Sequence, residues 1–137
     1  PRIEQVMRVA ARFVGSRAIL AHNASFDKRF WCTELSRLAL SADHGFVCTL
    51  RVARRMYPMA PNYKLDTLRT WLNLPDQGRA HRALADAMTT AQLFKRMQCD
   101  LHARYAIRTT THALMQKIQT QPIRTAHSFL ENWAAQP

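Results

Sequence analysis

The chain has 137 residues, which suffices for one compact domain with a buried core, and its hydrophobic share of 47% is ordinary for a globular protein. No apolar run reaches the roughly 18 residues that a membrane-spanning helix needs. Twenty Lys and Arg, most of them Arg, face nine Asp and Glu, and the net charge of +11 favours nucleic acid as a partner over a membrane, with a solubilising surface as the alternative.

Helices and two short strands alternate in the first part of the chain. Apolar residues at helical spacing predict a helix over 3–14, which ends at the following Gly-Ser pair. The short apolar segment 17–21 predicts a buried strand, and 46–49 predicts a second one. A helix is predicted between them, over about 24–40. This alternation indicates an α/β domain with parallel pairing.

The remainder of the chain is predicted to be helical. Prolines and polar loops separate five helices, over about 50–57, 64–72, 82–97, 111–120 and 123–134. A parallel sheet needs other elements to cover both of its faces and both of its edges, and this chain supplies only two strands of such a sheet. We therefore expect further strands of the fold to be missing from this chain.

Two acidic residues lie on helix faces that are otherwise apolar. Asp27 precedes Trp31 and Leu35 on one face of the second helix. Asp86 lies on the same side of the long helix as Leu93. A buried carboxylate needs a partner such as a metal ion or an arginine. First-turn acids that favour the helix dipole are the alternative, but two such acids, each after a His-containing turn, favour a functional role.

The sequences around both acids resemble motifs of a known enzyme family. AHNASFD at 21–27 resembles the second exonuclease motif of the DEDDh family of 3′-to-5′ exonucleases, which includes the proofreading epsilon subunit of bacterial DNA polymerase III. HRALAD at 81–86 matches the third motif of that family, H-x-A-x-x-D. The segments at 48–50 and 64–68 also resemble intervening family segments, in the same order. The resemblance covers about residues 3–98 and implies a ribonuclease H-like fold.

The resemblance implies a role for each motif residue. Asp27 and Asp86 would bind divalent metal, with two Mg²⁺ or Mn²⁺ ions in the complete family site. His81 would act as general base on the attacking water, and it must lie in the loop before the long helix, because five positions separate it from Asp86 by about 140° on one helix. His22 and Asn23 are expected to shape the turn before Asp27 and are candidate substrate contacts, although Asn23 is favoured as a helix cap.

Other polar and aromatic residues have structural interpretations. Phe26 and Trp31 are expected in the core rather than as platforms for stacked bases. Asp66 is expected to be a first-turn acid of its helix. The three cysteines lack C-x-x-C spacing, which argues against a zinc site or a disulfide framework and favours a reducing cytoplasm.

The first family motif, D-x-E on the first strand, is absent from the sequence. Glu4 is the only acid before Asp27, and it lies in the first predicted helix. The chain begins with Pro1 rather than Met, which we interpret as the start of a fragment or a processed product. We therefore expect a ribonuclease H-like exonuclease fold without its first three strands, with a partial exonuclease domain over 1–98 and a helical tail over 99–137.

The leading functional hypothesis is a metal-dependent exonuclease that trims the 3′ end of DNA in proofreading or repair, with a DNA polymerase subunit as a candidate partner. A chain with only part of the metal site is expected to be nearly inactive unless the upstream segment is supplied. The alternatives are a catalytically incomplete nucleic-acid-binding remnant of the fold and an RNA-trimming exonuclease. An apolar stripe in the tail is expected to pack on the domain rather than to dock on a polymerase: Ile123, Ala126, Leu130 and Trp133.

Overall fold

A computed structural model describes residues 1–78 and 83–136. Two parallel strands are surrounded by seven α-helices in this part of the chain, so the predicted α/β class with parallel pairing is confirmed. The elements in chain order are α1 (Ile3–Val14), β1 (Ile19–Ala21), α2 (Ala24–Arg37), β2 (Phe46–Cys48), α3 (Thr49–Met56), α4 (Leu65–Trp71), α5 (Ala83–Tyr105), α6 (His112–Thr120), a 3-10 turn (Ile123–Thr125) and α7 (Ala126–Ala134). No helix in the described ranges combines the length and the apolar character of a membrane span.

The sheet consists of β1 and β2 in one register. Ile19 pairs with Phe46, and Ala21 pairs with Cys48. The N–H of Ile19 also donates to the carbonyl of Gly45 at 2.9 Å, which extends the ladder by one bond. Because parallel strands end at the same edge of a sheet, the residues that follow Ala21 and Cys48 meet there.

A side chain of α6 closes the outer edge of β2. The Gln119 Oε1 accepts a hydrogen bond from the Cys48 N–H at 2.8 Å, and its Nε2 donates to the Phe46 carbonyl at 3.1 Å. The amide group therefore satisfies the two main-chain groups that a third strand would otherwise pair with. The C-terminal helices thus complete the sheet on this side.

Replacing Gln119 with Leu is expected to lower the free energy of unfolding by about 2 kcal/mol, because two hydrogen bonds are lost and two main-chain groups of β2 lose their partners. Urea unfolding followed by circular dichroism measures the change. Gln121→Leu is the matched control, since that side chain makes one long bond of 3.3 Å to the carbonyl of Lys117. Equal stability of the two variants would contradict the role of Gln119.

The main core lies between the sheet and the helices that follow it. Its fully buried side chains come from α3, α4, α5, α6 and α7 and include Val52, Leu68, Leu93, Met97, Leu101, Leu114, Ile118 and Leu130. The predicted end of the long helix near residue 97 is wrong, because Leu101 continues the buried face and α5 runs to Tyr105. Ala106 then takes a positive φ of 57°, which ends the helix.

Both predicted tail helices are present and pack on the domain. Ala126 and Leu130 are fully buried, and α7 contacts both α3 and α5. Ile123 differs from the expected stripe, because it lies in the 3-10 turn and is 53% exposed. Two residues of the stripe, Ala126 and Leu130, therefore pack on the domain as expected. Trp133 is partly buried against the core.

The first helix has the predicted bounds but buries little of its apolar face. Met7 is its one buried residue, and Phe13 is 81% exposed. The helix packs against α2, whose own Phe30 is also exposed. The exposed large apolar side chains of these two helices are Ile3, Val6, Val9, Phe13, Phe26 and Phe30.

Candidate active site

A cavity of about 1240 Å³ opens where the two strands end. It is lined by the end of β1, the start of α2, α3, α4 and α5, and the segment before α4. The lining residues that can carry charge or donate a hydrogen bond are His22, Asn23, Asp27, Arg54, Tyr63, Lys64, Asp66, Thr67, Asp86 and Thr90. This placement follows from the parallel sheet, because both strands deliver the next residues to one edge.

Asp27 and Asp86 both line this cavity, although they lie 59 positions apart in the chain. Each lies in the first turn of its helix, α2 for Asp27 and α5 for Asp86. A helix N-terminus carries partial positive charge, which favours carboxylates at both places. The structure therefore brings the two motif acids to one open space.

The interpretation of Asp27 as a buried acid is wrong. Asp27 is exposed, whereas Leu35, two turns further along the same face, is completely buried. The face enters the core only after its first turn, so the solvent around Asp27 removes the need for an obligatory partner. Asp86 is half-buried, and Leu93 on its side of α5 is completely buried.

The predicted general base His81 lies outside the described residues, and its role stays a prediction. Within those residues, the oxygen ligands that suit Mg²⁺ or Mn²⁺ are the carboxylates of Asp27 and Asp86, with Asp66 also at the cavity. No group of three or more His, Cys, Asp or Glu in residues 1–78 and 83–136 is arranged to hold a metal ion. The two motif acids supply ligand atoms of the kind that suits such an ion, and a two-ion site needs further ligands.

His22 connects three parts of the cavity wall. Its Nε2 donates to the carbonyl of Tyr63 at 2.8 Å, so its Nδ1 is the acceptor for the hydroxyl of Thr49 at 2.9 Å. Burial lowers the pKa of His22 below its ordinary value of 6.5, which favours the neutral ring with its proton on Nε2. His22 is thus a clamp between β1, α3 and the segment before α4, and both of its ring nitrogens already have protein partners.

Replacing His22 with Ala is expected to cost about 2 kcal/mol of unfolding free energy near pH 8, because both hydrogen bonds are lost. The folded state binds the proton less readily than the unfolded state, so the stabilisation is complete above pH 6.5 and is lost as the pH falls below it. The stability difference between wild type and His22→Ala should narrow from pH 8 to pH 5 in urea titrations. A difference that stays constant with pH, or an equal loss in the exposed control His102→Ala, would contradict this role.

Asn23 precedes α2 as predicted, but its side chain makes no capping hydrogen bond. Its φ of 60° and ψ of 47° lie in the left-handed region, which Asn tolerates better than most residues. The next N–H, that of Ala24, donates instead to the sulfur of Cys48 at 3.4 Å. Asn23 is thus the N-cap residue of α2 as predicted, but without a capping bond from its side chain, which is exposed at the cavity.

The aromatic residues near the site differ from each other. Phe26 is 65% exposed, so its assignment to the core is wrong. Trp31 is half-buried, and its indole N–H donates to the Nδ1 of His44 at 3.1 Å. Its assignment to the interior therefore holds in part.

Three cavity residues were not anticipated from the sequence as site residues. Arg54 comes from α3, and Tyr63 and Lys64 come from the segment before α4. Asp66 is a first-turn acid of α4 as predicted, 3.9 Å from Arg69, and it also lines the cavity. Arg54 lies four residues after Leu50, the last residue of the 48–50 segment, and this spacing, which puts both residues on one face of α3, was the one sequence clue.

The family model described as exonuclease, RNase T, matches residues 1–94. The DNA polymerase III PolC-type of Caldanaerobacter subterraneus is 35% identical over 97 residues, and that of Halalkalibacterium halodurans is 36% identical over 101 residues. These matches cover 71% and 73% of this chain but 7% of each polymerase. The chloroplastic/mitochondrial exonuclease DPD1 of Arabidopsis thaliana is 31% identical, over 74% of this chain and 37% of its own length.

The chain thus spans a small share of the length of these relatives. No solved structure matches it. The family match covers more than half of the chain and includes both segments that resemble exonuclease motifs. The chain therefore belongs to the RNase T exonuclease family, and its resemblance to the DEDDh exonucleases is confirmed.

Proposed function

We propose that this chain is part of a metal-dependent exonuclease that hydrolyses phosphodiester bonds from the 3′ end of DNA. The observation that supports this function best is that Asp27 and Asp86, the acids of the two motif segments, line one cavity. Membership of an exonuclease family and the net charge of +11 favour a polyanionic substrate.

The proposed chemistry divides the work between three side chains. Asp27 and Asp86 would hold the divalent metal through their carboxylate oxygens, and His81 would accept the proton of the attacking water. A Mg²⁺ or Mn²⁺ ion would supply Lewis acidity and neutralise negative charge at the phosphate. A His with a pKa near 6.5 can accept this proton at neutral pH.

The ligand set proposed here is incomplete on this chain. The sequence contains no D-x-E segment before Asp27, and such a segment would add two carboxylates. We propose that the complete fold includes three further strands that carry this motif, that residues 1–98 are the corresponding part of the exonuclease domain, and that 99–137 form a helical tail. The unpaired edge of β1 in the described sheet is consistent with this arrangement.

The biological setting that we propose is replication or repair. The PolC-type relatives are DNA polymerases by name, which supports a polymerase subunit as a partner. Three free cysteines fit a reducing compartment such as the cytoplasm. The alternatives are RNA as the substrate and a nucleic-acid-binding remnant without activity, and the incomplete ligand set favours the second of these for the chain alone.

A labelled-oligonucleotide assay tests the function. The full gene product is incubated with single-stranded DNA and with RNA of one sequence, in Mg²⁺ or Mn²⁺ and in chelator. A label at the 5′ end should give a ladder of shortened products, and a label at the 3′ end should give mononucleotide at once, with DNA degraded faster. Internal cleavage, degradation from the 5′ end, or equal rates in chelator would contradict the proposal.

A further inference from the structure

Two cations and an aromatic ring line the same cavity as the motif acids. The guanidinium carbon of Arg54 lies 5.7 Å from the centre of the Tyr63 ring, a cation–π distance. Lys64 follows Tyr63 directly and also lines the cavity. We call Arg54, Tyr63 and Lys64 the cationic wall.

The wall is held by the same bonds that build the cavity. The hydroxyl of Tyr63 donates to the carbonyl of Tyr57 at 3.0 Å, and the carbonyl of Tyr63 accepts from His22 at 2.8 Å. The N–H of Lys64 donates to Oδ1 of Asn62 at 3.0 Å. Hydrogen bonds thus hold both the side-chain hydroxyl and the main-chain carbonyl of Tyr63. Its ring then gives the Arg54 guanidinium a preferred position.

Among residues 1–78 and 83–136, no carboxylate forms a salt bridge with Arg54 or Lys64. By contrast, Arg96 is paired with Asp100 at 3.0 Å and Arg37 with Glu34 at 2.7 Å. Two cations without a salt bridge in the described residues, beside the carboxylates of Asp27, Asp66 and Asp86, suit a ligand that bears several phosphates, because the cations attract what the acids alone would repel.

We propose that the cationic wall binds the phosphate backbone of a single-stranded nucleic acid whose terminal nucleotide enters the cavity. Arg54 and Lys64 contact phosphates, and the Tyr63 ring orients the guanidinium. This inference rests on the proposed function, and it adds residues that position the strand without taking part in hydrolysis.

Binding in chelator tests the wall separately from hydrolysis. A short single-stranded oligodeoxynucleotide with a fluorescent label is titrated with the chain, and anisotropy gives Kd between 50 and 200 mM salt. Arg54→Gln and Lys64→Gln remove one charge each. Arg51→Gln on the same helix and Lys95→Gln on α5 are the matched controls, because both residues are exposed and lie outside the cavity lining.

Arg54→Gln is expected to raise Kd about tenfold and Lys64→Gln about fivefold, since each loses a charge-assisted contact. The slope of log K against log salt should decrease by about 0.7 for each. The controls should change Kd by less than about twofold, as expected for charges without a fixed contact. Far-ultraviolet circular dichroism checks that every variant is folded.

Equal effects of the wall variants and their controls would overturn the wall and leave the proposed exonuclease function intact. Failure of the wild-type chain to bind any oligonucleotide would overturn the wall and also count against nucleic acid as the substrate. Cleavage by the full gene product with unchanged KM in Arg54→Gln would likewise overturn the wall alone.

Discussion

Replacing Asp86 or Asp27 with Asn in the full gene product will reduce DNA hydrolysis at least about 1,000-fold, because each change removes a carboxylate that we propose as a ligand of the metal. Both acids line one cavity, so both variants should fail in the same step. The neutral amide is nearly isosteric, and Asp27 is exposed, so folding should be retained. Initial rates with a 5′-labelled single strand at saturating Mg²⁺ measure the loss.

The control for these variants is Asp43→Asn. Asp43 is exposed and lies outside this cavity, so its removal changes net charge by the same amount without touching the proposed site. Its rate should stay within about twofold of wild type, as is usual for exposed charges. Rates for Asp27→Asn or Asp86→Asn that match this control would show that the acid is not a metal ligand.

The 137-residue chain alone will hydrolyse DNA at least about 1,000-fold more slowly than a protein that joins it to an upstream segment carrying D-x-E, because two carboxylates cannot hold two ions against mutual repulsion. The comparison uses equal molar amounts of both proteins, the same 3′ end and the same Mg²⁺ concentration.

A variant of the joined protein with D-x-E changed to N-x-Q is the control, since it restores the strands without the ligands. It should be as inactive as the chain alone but more stable in urea. Full activity of the 137-residue chain by itself would refute the proposal that the missing motif supplies ligands.

The helices and strands could be predicted because their signals are local. The 3.6-residue period of Ile3–Val14 and the short apolar runs at Ile19–Ala21 and Phe46–Cys48 contain the information for those elements. α5 extends beyond its predicted end near residue 97, because Leu101 prolongs the buried face, in the same core cluster as side chains of helices that follow it in the chain.

The site was predicted in part. Order and spacing of the motif segments indicated the two acids. Asp27 reaches the cavity on α2, which follows β1, and Asp86 reaches it on α5, which contacts β1. The roles of Gln119 and Tyr63 depend on partners 73 and 41 positions away, which a local pattern cannot contain. Asn23 illustrates a further limit, because its residue type fits both a side-chain cap and a left-handed turn, and the backbone geometry decides between them.

The exposed state of Asp27 shows why periodicity alone misjudges a helix start. Asp27 and Leu35 lie on the same face of α2, but the first turn of the helix lies outside the core. Asp27 is therefore exposed, whereas Leu35 is completely buried. A first-turn acid at a cavity is therefore favoured by the helix dipole and by solvent, and it remains accessible to an ion.

The most direct test of the account is Mn²⁺ binding by the chain, measured by electron paramagnetic resonance as loss of the free-ion signal. Wild type should bind one ion weakly at the shared cavity, and both Asp27→Asn and Asp86→Asn should abolish this binding. Asp66→Asn, in the same cavity, should retain it. Binding that survives both motif variants, or that is lost equally in Asp66→Asn, would contradict the claim that Asp27 and Asp86 together hold a divalent ion.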